Sequence, residues 1–98
     1  MADIYHALLN RELKQMDTDQ LRHYQDTCEL AYQSITDALR LIGNLTYEAS
    51  QSEEYTAEDA RRDFFLAGSA LRDLPRIAQA LQHNSQQAGY EIMCKGIK

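Results

Sequence analysis

The sequence predicts an all-α protein built on a long antiparallel helical hairpin, with an N-terminal helix packed against it. One proline and four glycines in 98 residues leave few positions that would interrupt a helix. Two long segments repeat their apolar residues at alternating spacings of three and four, and a short polar stretch separates them. Two long helices joined by a short loop form an αα-hairpin. A chain of this length is expected to form a single domain, residues 1–98.

The first helix is predicted over residues 1–16. Asp3 is a suitable N-cap, because its short carboxylate can accept a hydrogen bond from a backbone N–H of the first turn. The apolar residues that follow recur at helical spacing and place one apolar stripe on the helix. The stripe consists of Ile4, Tyr5, Leu8, Leu9, Leu13 and Met16.

The second helix is predicted over residues 19–50. Asp17 or Thr18 can cap it, and Gln20 stands three residues after Asp17, as in a capping box. An unbroken heptad spacing then predicts a helix that presents one seam to a neighbour. The seam contains Leu21, Tyr24, Cys28, Ala31, Ile35, Ala38, Ile42, Leu45 and Ala49. We expect the larger members and the cysteine in the core, namely Leu21, Tyr24, Cys28, Ile35, Ile42 and Leu45.

The third helix is predicted over residues 56–83, with Thr56 as N-cap and Asp59 as the acid of the first turn. Its seam contains Ala57, Ala60, Phe64, Ala67, Leu71, Leu74, Ala78 and Leu81. Among these we expect Phe64, Leu71, Leu74 and Leu81 in the core. Pro75 lies within the pattern without changing its phase, which favours a kink over a break. Residues 84–98 carry a weaker pattern and are expected to form a short last helix or a tail.

Several apolar residues lie off the two seams and need cover from elsewhere. They are Leu30, Leu41, Phe65, Leu66 and Ile77. The N-terminal helix can cover some of them, giving a three-to-four-helix bundle. A second copy of the chain can cover the rest, so the sequence predicts a homodimer.

The charge of the chain excludes some classes of partner. Fifteen acidic residues against ten basic ones give a formal net charge of −5. A nucleic-acid binder or a protein of anionic membrane surfaces needs a basic face, so we expect neither activity. A partner protein with a basic surface, or simple solubility, fits the charge better. No leader-like or membrane-spanning segment is recognisable, and a cytoplasmic location is expected.

No arrangement of residues predicts catalysis. The carboxylates fall in loops and first turns instead of a sheltered pair, and no nucleophile motif or phosphate-binding glycine loop is present. The histidines, His6, His23 and His83, have no metal-ligand spacing. Cys28 lies on the seam, where it is best explained as a small core residue. We therefore expect no catalytic residues, no cofactor and no metal.

An acidic group surrounds the loop between the two long helices. Its members Glu53, Glu54, Glu58, Asp59 and Asp63 are candidates for binding a basic partner. Leu41, Tyr55 and Phe65 are candidate apolar contacts beside them. The alternative is structural, because acids in a first turn stabilise the helix dipole and loop acids are simply hydrated.

The sequence is therefore interpreted as that of a non-enzymatic, small acidic helical protein that binds and regulates or inhibits a larger protein. The binding is expected to cover a basic or nucleic-acid-binding surface of that partner. In its general architecture the chain resembles the short accessory proteins of bacteria, phages and plasmids. The alternative function is a structural or assembly adaptor that pairs through its coiled-coil-like seams.

Overall fold

The computed structural model describes residues 3–96 and has the predicted all-α fold, with no strand among those residues. Helix α1 spans Ile4–Leu8, a single 3-10 turn spans Leu13–Gln15, helix α2 spans Thr18–Ser50 and helix α3 spans Ala57–Gly96. Helix α2 packs against α3, and α1 packs on α3. Residues 1, 2, 97 and 98 of the predicted first and last segments lie outside the described residues.

Each helix begins at a side chain that satisfies free backbone N–H groups. Asp17 accepts from the backbone N–H of Gln20 at 2.8 Å, and the Gln20 side chain accepts from the Asp17 N–H at 3.0 Å. Thr56 and Asp59 form the same reciprocal pair at the start of α3, at 3.0 and 3.2 Å. Asp3 caps α1. Such a cap stabilises a helix by about 1 kcal/mol.

The N-terminal helix is much shorter than the predicted 1–16. It ends at Leu8, and the chain then turns away before the 3-10 turn. The side chain of Asn84 explains this end, because its amide donates to the Leu8 carbonyl at 2.9 Å and accepts from the Asn10 N–H at 3.0 Å. These two backbone groups are therefore satisfied by α3 and not by continued helix.

The predicted boundary at residues 83 and 84 is absent, because α3 continues as one helix to Gly96. Asn84 and Ser85 are poor helix formers, but both are buried beneath neighbouring segments. Tertiary packing thus overrides their low helix propensity. Pro75 also lies inside α3 and cannot donate to the carbonyl of Leu71. The kink expected there stays a prediction.

The buried core lies in only one half of the hairpin. We call residues 3–36 and 73–96 the inner half, and residues 37–72, which include the loop, the outer half. The inner half holds a cluster of Leu13, Leu21 and Ala88, with Met16, Tyr24 and Ile92 packed against it. Among the described residues, none between positions 29 and 77 is buried. The two long helices therefore enclose a buried core in the inner half but not in the outer half.

Gly89 lies against the end of the Gln25 side chain in the inner half. A Cβ atom at this position would lie 2.7 Å from the side-chain nitrogen of Gln25 on α2. Gly43 and Gly68 differ, because a Cβ atom at either would meet nothing within 4 Å. Neither has a positive φ. Each costs its helix about 1 kcal/mol relative to alanine, with no contact inside the chain that requires a glycine.

Part of each predicted seam is exposed near the loop. On α3, the exposed fraction is 72% for Phe64, 52% for Leu71 and 4% for Ala78, although the three are spaced by heptads. On α2, Leu21 is fully buried but Leu45 is 56% exposed. A straight helix has 3.6 residues per turn, so a seven-residue pattern drifts by about 20° per heptad. Leu45, Phe64 and Leu71 were therefore wrongly predicted as core.

The remaining predicted core residues lie between the helices. Cys28 is buried, and the others are half-buried. They are Tyr24, Ile35, Ile42, Leu74 and Leu81.

The molecule is long and thin, with extents of 64 × 28 × 14 Å. Its radius of gyration is 18.3 Å, whereas a compact domain of this size has about 13 Å. The smallest extent is little more than the diameter of one helix, about 10–12 Å. Both faces of the outer half are consequently open to solvent.

Candidate protein-binding surface

An open groove runs between the two helices on one face of the outer half. Its walls are Ile42, Leu45, Thr46 and Ala49 of α2 and Asp63, Leu66, Ala67 and Ala70 of α3, with Tyr55 at the loop end. Its volume is about 440 Å³. Leu45 and Leu66 are 56% and 62% exposed, so large apolar side chains stand on both walls without cover. We call this set of residues the groove.

The groove is positioned by helical periodicity. Leu41 and Leu45 are one turn apart on α2, and Leu66 and Ala70 are one turn apart on α3. Each pair therefore lies on one side of its helix. Leu41 is 58% exposed and extends the apolar wall of α2 towards the inner half.

The loop end of the groove holds an ionised carboxylate that is paired with an arginine. The hydroxyl of Tyr55 donates to the Asp63 carboxylate, and Arg62 donates to the same carboxylate at 3.3 Å. The hydrogen bond from Tyr55 is the main reason that the pKa of Asp63 lies below its ordinary value. The same bond raises the pKa of Tyr55. Asp63 is therefore ionised at neutral pH, and its charge faces the groove.

Only part of the predicted acidic group is available to a partner. Asp59 caps α3 and contacts Arg62 at 3.6 Å, while Asp63 is held by Tyr55 and Arg62. Glu53, Glu54 and Glu58 are exposed and form no salt bridge with any described residue. Residues 48–63 contain six acids and two arginines, a net charge of −4 out of −5 for the chain.

The structure brings some of the predicted contact residues together and separates others. Tyr55 and Asp63 line the groove, and Leu41 stands beside it. Phe65 is 82% exposed but does not line the groove. Neighbouring helical residues point about 100° apart, so Phe65 is directed away from the wall that Leu66 forms.

Sequence reasoning did not predict the most prominent groove residues. Leu45 was assigned to the core, Leu66 was noted only as an apolar residue off the seam, and Ala70 was not considered. The drift of a heptad pattern on a straight helix was the signal that could have found Leu45. Over the three heptads from Leu21 to Ile42, this drift turns the α2 seam by about 60° and so onto the groove side.

A second cluster of interacting side chains fastens α1 to α3 in the inner half. Arg76 binds the carboxylate of Asp3 through two hydrogen bonds of 2.7 and 3.2 Å. Its guanidinium also lies 4.4 Å from the centre of the Tyr5 ring, and the centres of the Tyr5 and His83 rings are 6.3 Å apart in an edge-to-face arrangement. Chiefly through these hydrogen bonds, Arg76 holds the pKa of Asp3 well below its ordinary value of 3.8. The attachment of α1 to α3 explains why these side chains are clustered.

The described residues contain no group of three or more His, Cys, Asp and Glu side chains placed to hold a metal ion. Cys28 and Cys94 are both free thiols, the first buried and the second half-buried. Within residues 3–96, no helix combines the length and the apolar character needed to cross a lipid bilayer.

Comparison with known proteins gives no match. The chain matches no family model, and no curated protein or solved structure is significantly similar to it.

Proposed function

We propose that this protein acts by binding another protein in the groove of its outer half, and that the preferred partner segment is apolar on one side and basic on the other. The observation that carries the proposal is the pair of uncovered leucines, Leu45 and Leu66, facing each other across a groove with an ionised Asp63 at its end. Exposed apolar surface of this kind marks interaction sites in stable proteins.

The groove suits an amphipathic helix better than a small ligand. It is open along its length, and its two walls are adjacent helices with small and large apolar residues. A third helix lying in it would bury its apolar side on the leucines and present basic residues to the acidic end. The rest of the acidic group, Glu53, Glu54 and Glu58, would attract such a segment over a longer range.

We further propose that this binding regulates or inhibits a larger protein by covering a basic or nucleic-acid-binding surface. The concentration of charge −4 in residues 48–63 supports this form of the proposal. The second candidate function is a structural or assembly adaptor. It is favoured by a different observation, since the heptad residues Phe64 and Leu71 are 72% and 52% exposed on α3.

The groove can be tested with a synthetic helix of leucine and lysine at amphipathic spacing as the probe. Leu45→Gln with Leu66→Gln should weaken its binding at least tenfold, because truncated anchors in the centre of an interface cost about 2 kcal/mol each. Fluorescence anisotropy of a labelled peptide measures this change. The matched control is Phe65→Gln, which alters an even more exposed apolar residue that points away from the groove. Equal loss in the control, or no loss in the groove variant, contradicts the proposal.

Neutralising the charge of the loop distinguishes the two proposed functions, regulator and adaptor. Replacing Glu53, Glu54 and Glu58 by glutamine should slow association of the same peptide several-fold at low salt, since exposed charges act mainly on the association rate. The difference should shrink near physiological ionic strength, where the Debye length is about 8 Å. An adaptor that uses its apolar residues alone would bind at an unchanged rate in low salt.

A further inference from the structure

The face of the outer half opposite the groove carries its own uncovered apolar residues. Phe64 and Leu71 are seven residues apart on α3, so they lie on the same side of that helix. Phe64 is two residues from Leu66 and therefore about 160° from it around the helix. On α2, Tyr47 is 69% exposed, and because it is two residues from Leu45 it also lies about 160° from that residue around the helix. We call Tyr47, Phe64 and Leu71, with Gly43 and Gly68 between them, the rear face.

Both glycines lie in the outer half, one on each long helix. Their neighbours Ile42 and Ala67 line the same groove, from which we infer that Gly43 and Gly68 lie at a similar level of the hairpin. Both are exposed, and the space above each is empty. Helices without side chains at one level can be approached closely by another pair of helices at that level. Such an approach would explain why weak helix formers occupy these two positions, which no contact within the single chain explains.

The rear-face residues of α3 are arranged so that they can pair with the same residues of a second, antiparallel copy. About a centre between Ala67 and Gly68, the small residues are flanked by Phe64 on one side and Leu71 on the other at equal distances. Two antiparallel copies of α3 would place each Phe64 against the Leu71 of the other copy, with the Gly68 residues of the two copies near the middle. A two-fold symmetric interface requires this reciprocity, in which residue i meets j and j meets i.

The surface area of the chain exceeds what a compact monomer exposes. The accessible surface is 7577 Å², against about 5,700 Å² for a compact monomer of this mass. The excess of about 1,900 Å² compares with about 800 Å² that each partner buries in a standard stable interface. The chain as a whole therefore exposes enough surface for an interface of this size.

The distribution of charge selects the antiparallel orientation. A dimer with both loops at the same end would bring together two regions of charge −4. In the antiparallel dimer the loops lie about 30 Å apart, since each is roughly ten residues from the centre, and the Debye length is only about 8 Å. Each loop then lies beside the remainder of the other copy, whose charge is −1, the difference between −5 and −4.

We infer that the rear face binds a second copy of this chain, antiparallel, to form a four-helix outer region with a two-fold axis near Gly43 and Gly68. The groove faces away from this interface on each copy. The dimer therefore presents two grooves, one on each side, and its formation does not depend on the proposed function.

Sedimentation equilibrium at tens of micromolar tests the dimer. The wild-type chain should sediment with twice its mass of 11.3 kDa. Phe64→Gln with Leu71→Gln should raise the dissociation constant at least thirtyfold and sediment as a monomer. The matched pair Leu45→Gln with Leu66→Gln should remain a dimer while losing the leucine–lysine peptide. A monomeric wild type overturns the inference, as does a rear-face variant that still dimerises.

A variant at Gly68 tests whether loss of the dimer could result from loss of folding. Gly68→Gln replaces a weak helix former by a good one, so the helical circular dichroism of the monomer should rise or stay constant. The added side chain should nevertheless weaken the dimer at least tenfold. An unchanged dimer in this variant contradicts a close approach at Gly68.

Cross-linking tests the orientation. In a Cys94→Ser background, Gly68→Cys lies next to the two-fold axis and should form an intermolecular disulfide under mild oxidation. Gln51→Cys in the loop should remain reduced, because the two loops are at opposite ends. Cross-linking through position 51 and not through position 68 would overturn the antiparallel arrangement.

Discussion

Asn84 connects the N-terminal segment to α3 through both functions of its amide. It is 2% exposed, and its oxygen and nitrogen are each bonded to a backbone group of residues 8–10. A buried amide with both partners satisfied specifies one position for the segment it binds. The positions of Leu8 and Asn10 are therefore fixed in part by a side chain located more than seventy positions along the chain.

We expect Asn84→Leu to destabilise the protein by about 2–3 kcal/mol, since it leaves a backbone N–H and a carbonyl without partners in a buried place. Asn84→Asp should have a similar effect, because the carboxylate can accept from Asn10 but cannot donate to Leu8. Urea denaturation measures both. Gln87→Leu, an exposed change on the same helix, is the control and should alter stability by less than about 0.5 kcal/mol.

The attachment of α1 to α3 depends on pH through the ionisation of Asp3. Its pKa is lower in the folded protein than in the unfolded chain, where it is near 3.8. The stabilisation is therefore complete only above about pH 5 and is lost as the pH falls through the folded value. The NMR signals of the Tyr5 and His83 rings should report loosening of α1 in acid. Asp3→Asn should loosen it at neutral pH as well.

The surface pair Asp37 and Arg40 supplies the control for this measurement. It joins the same residue types, but its side chains are 70% and 73% exposed and 3.5 Å apart. Asp37→Asn should leave the acid transition of the Tyr5 and His83 signals unchanged. A shift as large as that of Asp3→Asn would mean that net charge, and not the bond to Arg76, controls the transition.

At the scale of the helix, Pro75 interrupts the hydrogen bonding of α3 where the inner and outer halves meet. Pro75→Ala should restore the bond to the Leu71 carbonyl and stabilise the protein by about 1–3 kcal/mol. Urea denaturation at a fixed protein concentration measures the gain. No gain would mean that the helix around Pro75 is already adapted to the missing bond.

Local sequence signals predicted the starts of the helices well. Asp3, Asp17 and Thr56 cap their helices because capping depends only on residues within three positions. The ends of α1 and α3 were missed for the opposite reason. The end of α1 is bonded to Asn84, and α3 continues past residue 83 because Asn84 and Ser85 are buried, and these contacts between distant residues leave no local pattern.

For the whole molecule, the heptad spacing predicted a hairpin but not which part of it would be packed. The same spacing continues through Leu45, Phe64 and Leu71, yet all three are more than half exposed. The candidate groove could not be predicted, because it requires knowing that two walls face each other. The acidic loop could be predicted from composition, but the engagement of Asp63 by Tyr55 could not.

The 14 Å thickness of the molecule has a mechanical consequence. A strip two helices wide and one helix thick bends far more easily across its thin dimension than within its plane. Helices bend most readily where a backbone hydrogen bond is missing, and Pro75 supplies such a point at the base of the outer half. Curving towards the groove compresses that face and stretches the rear face. An occupant of one face therefore changes the shape that the other face offers.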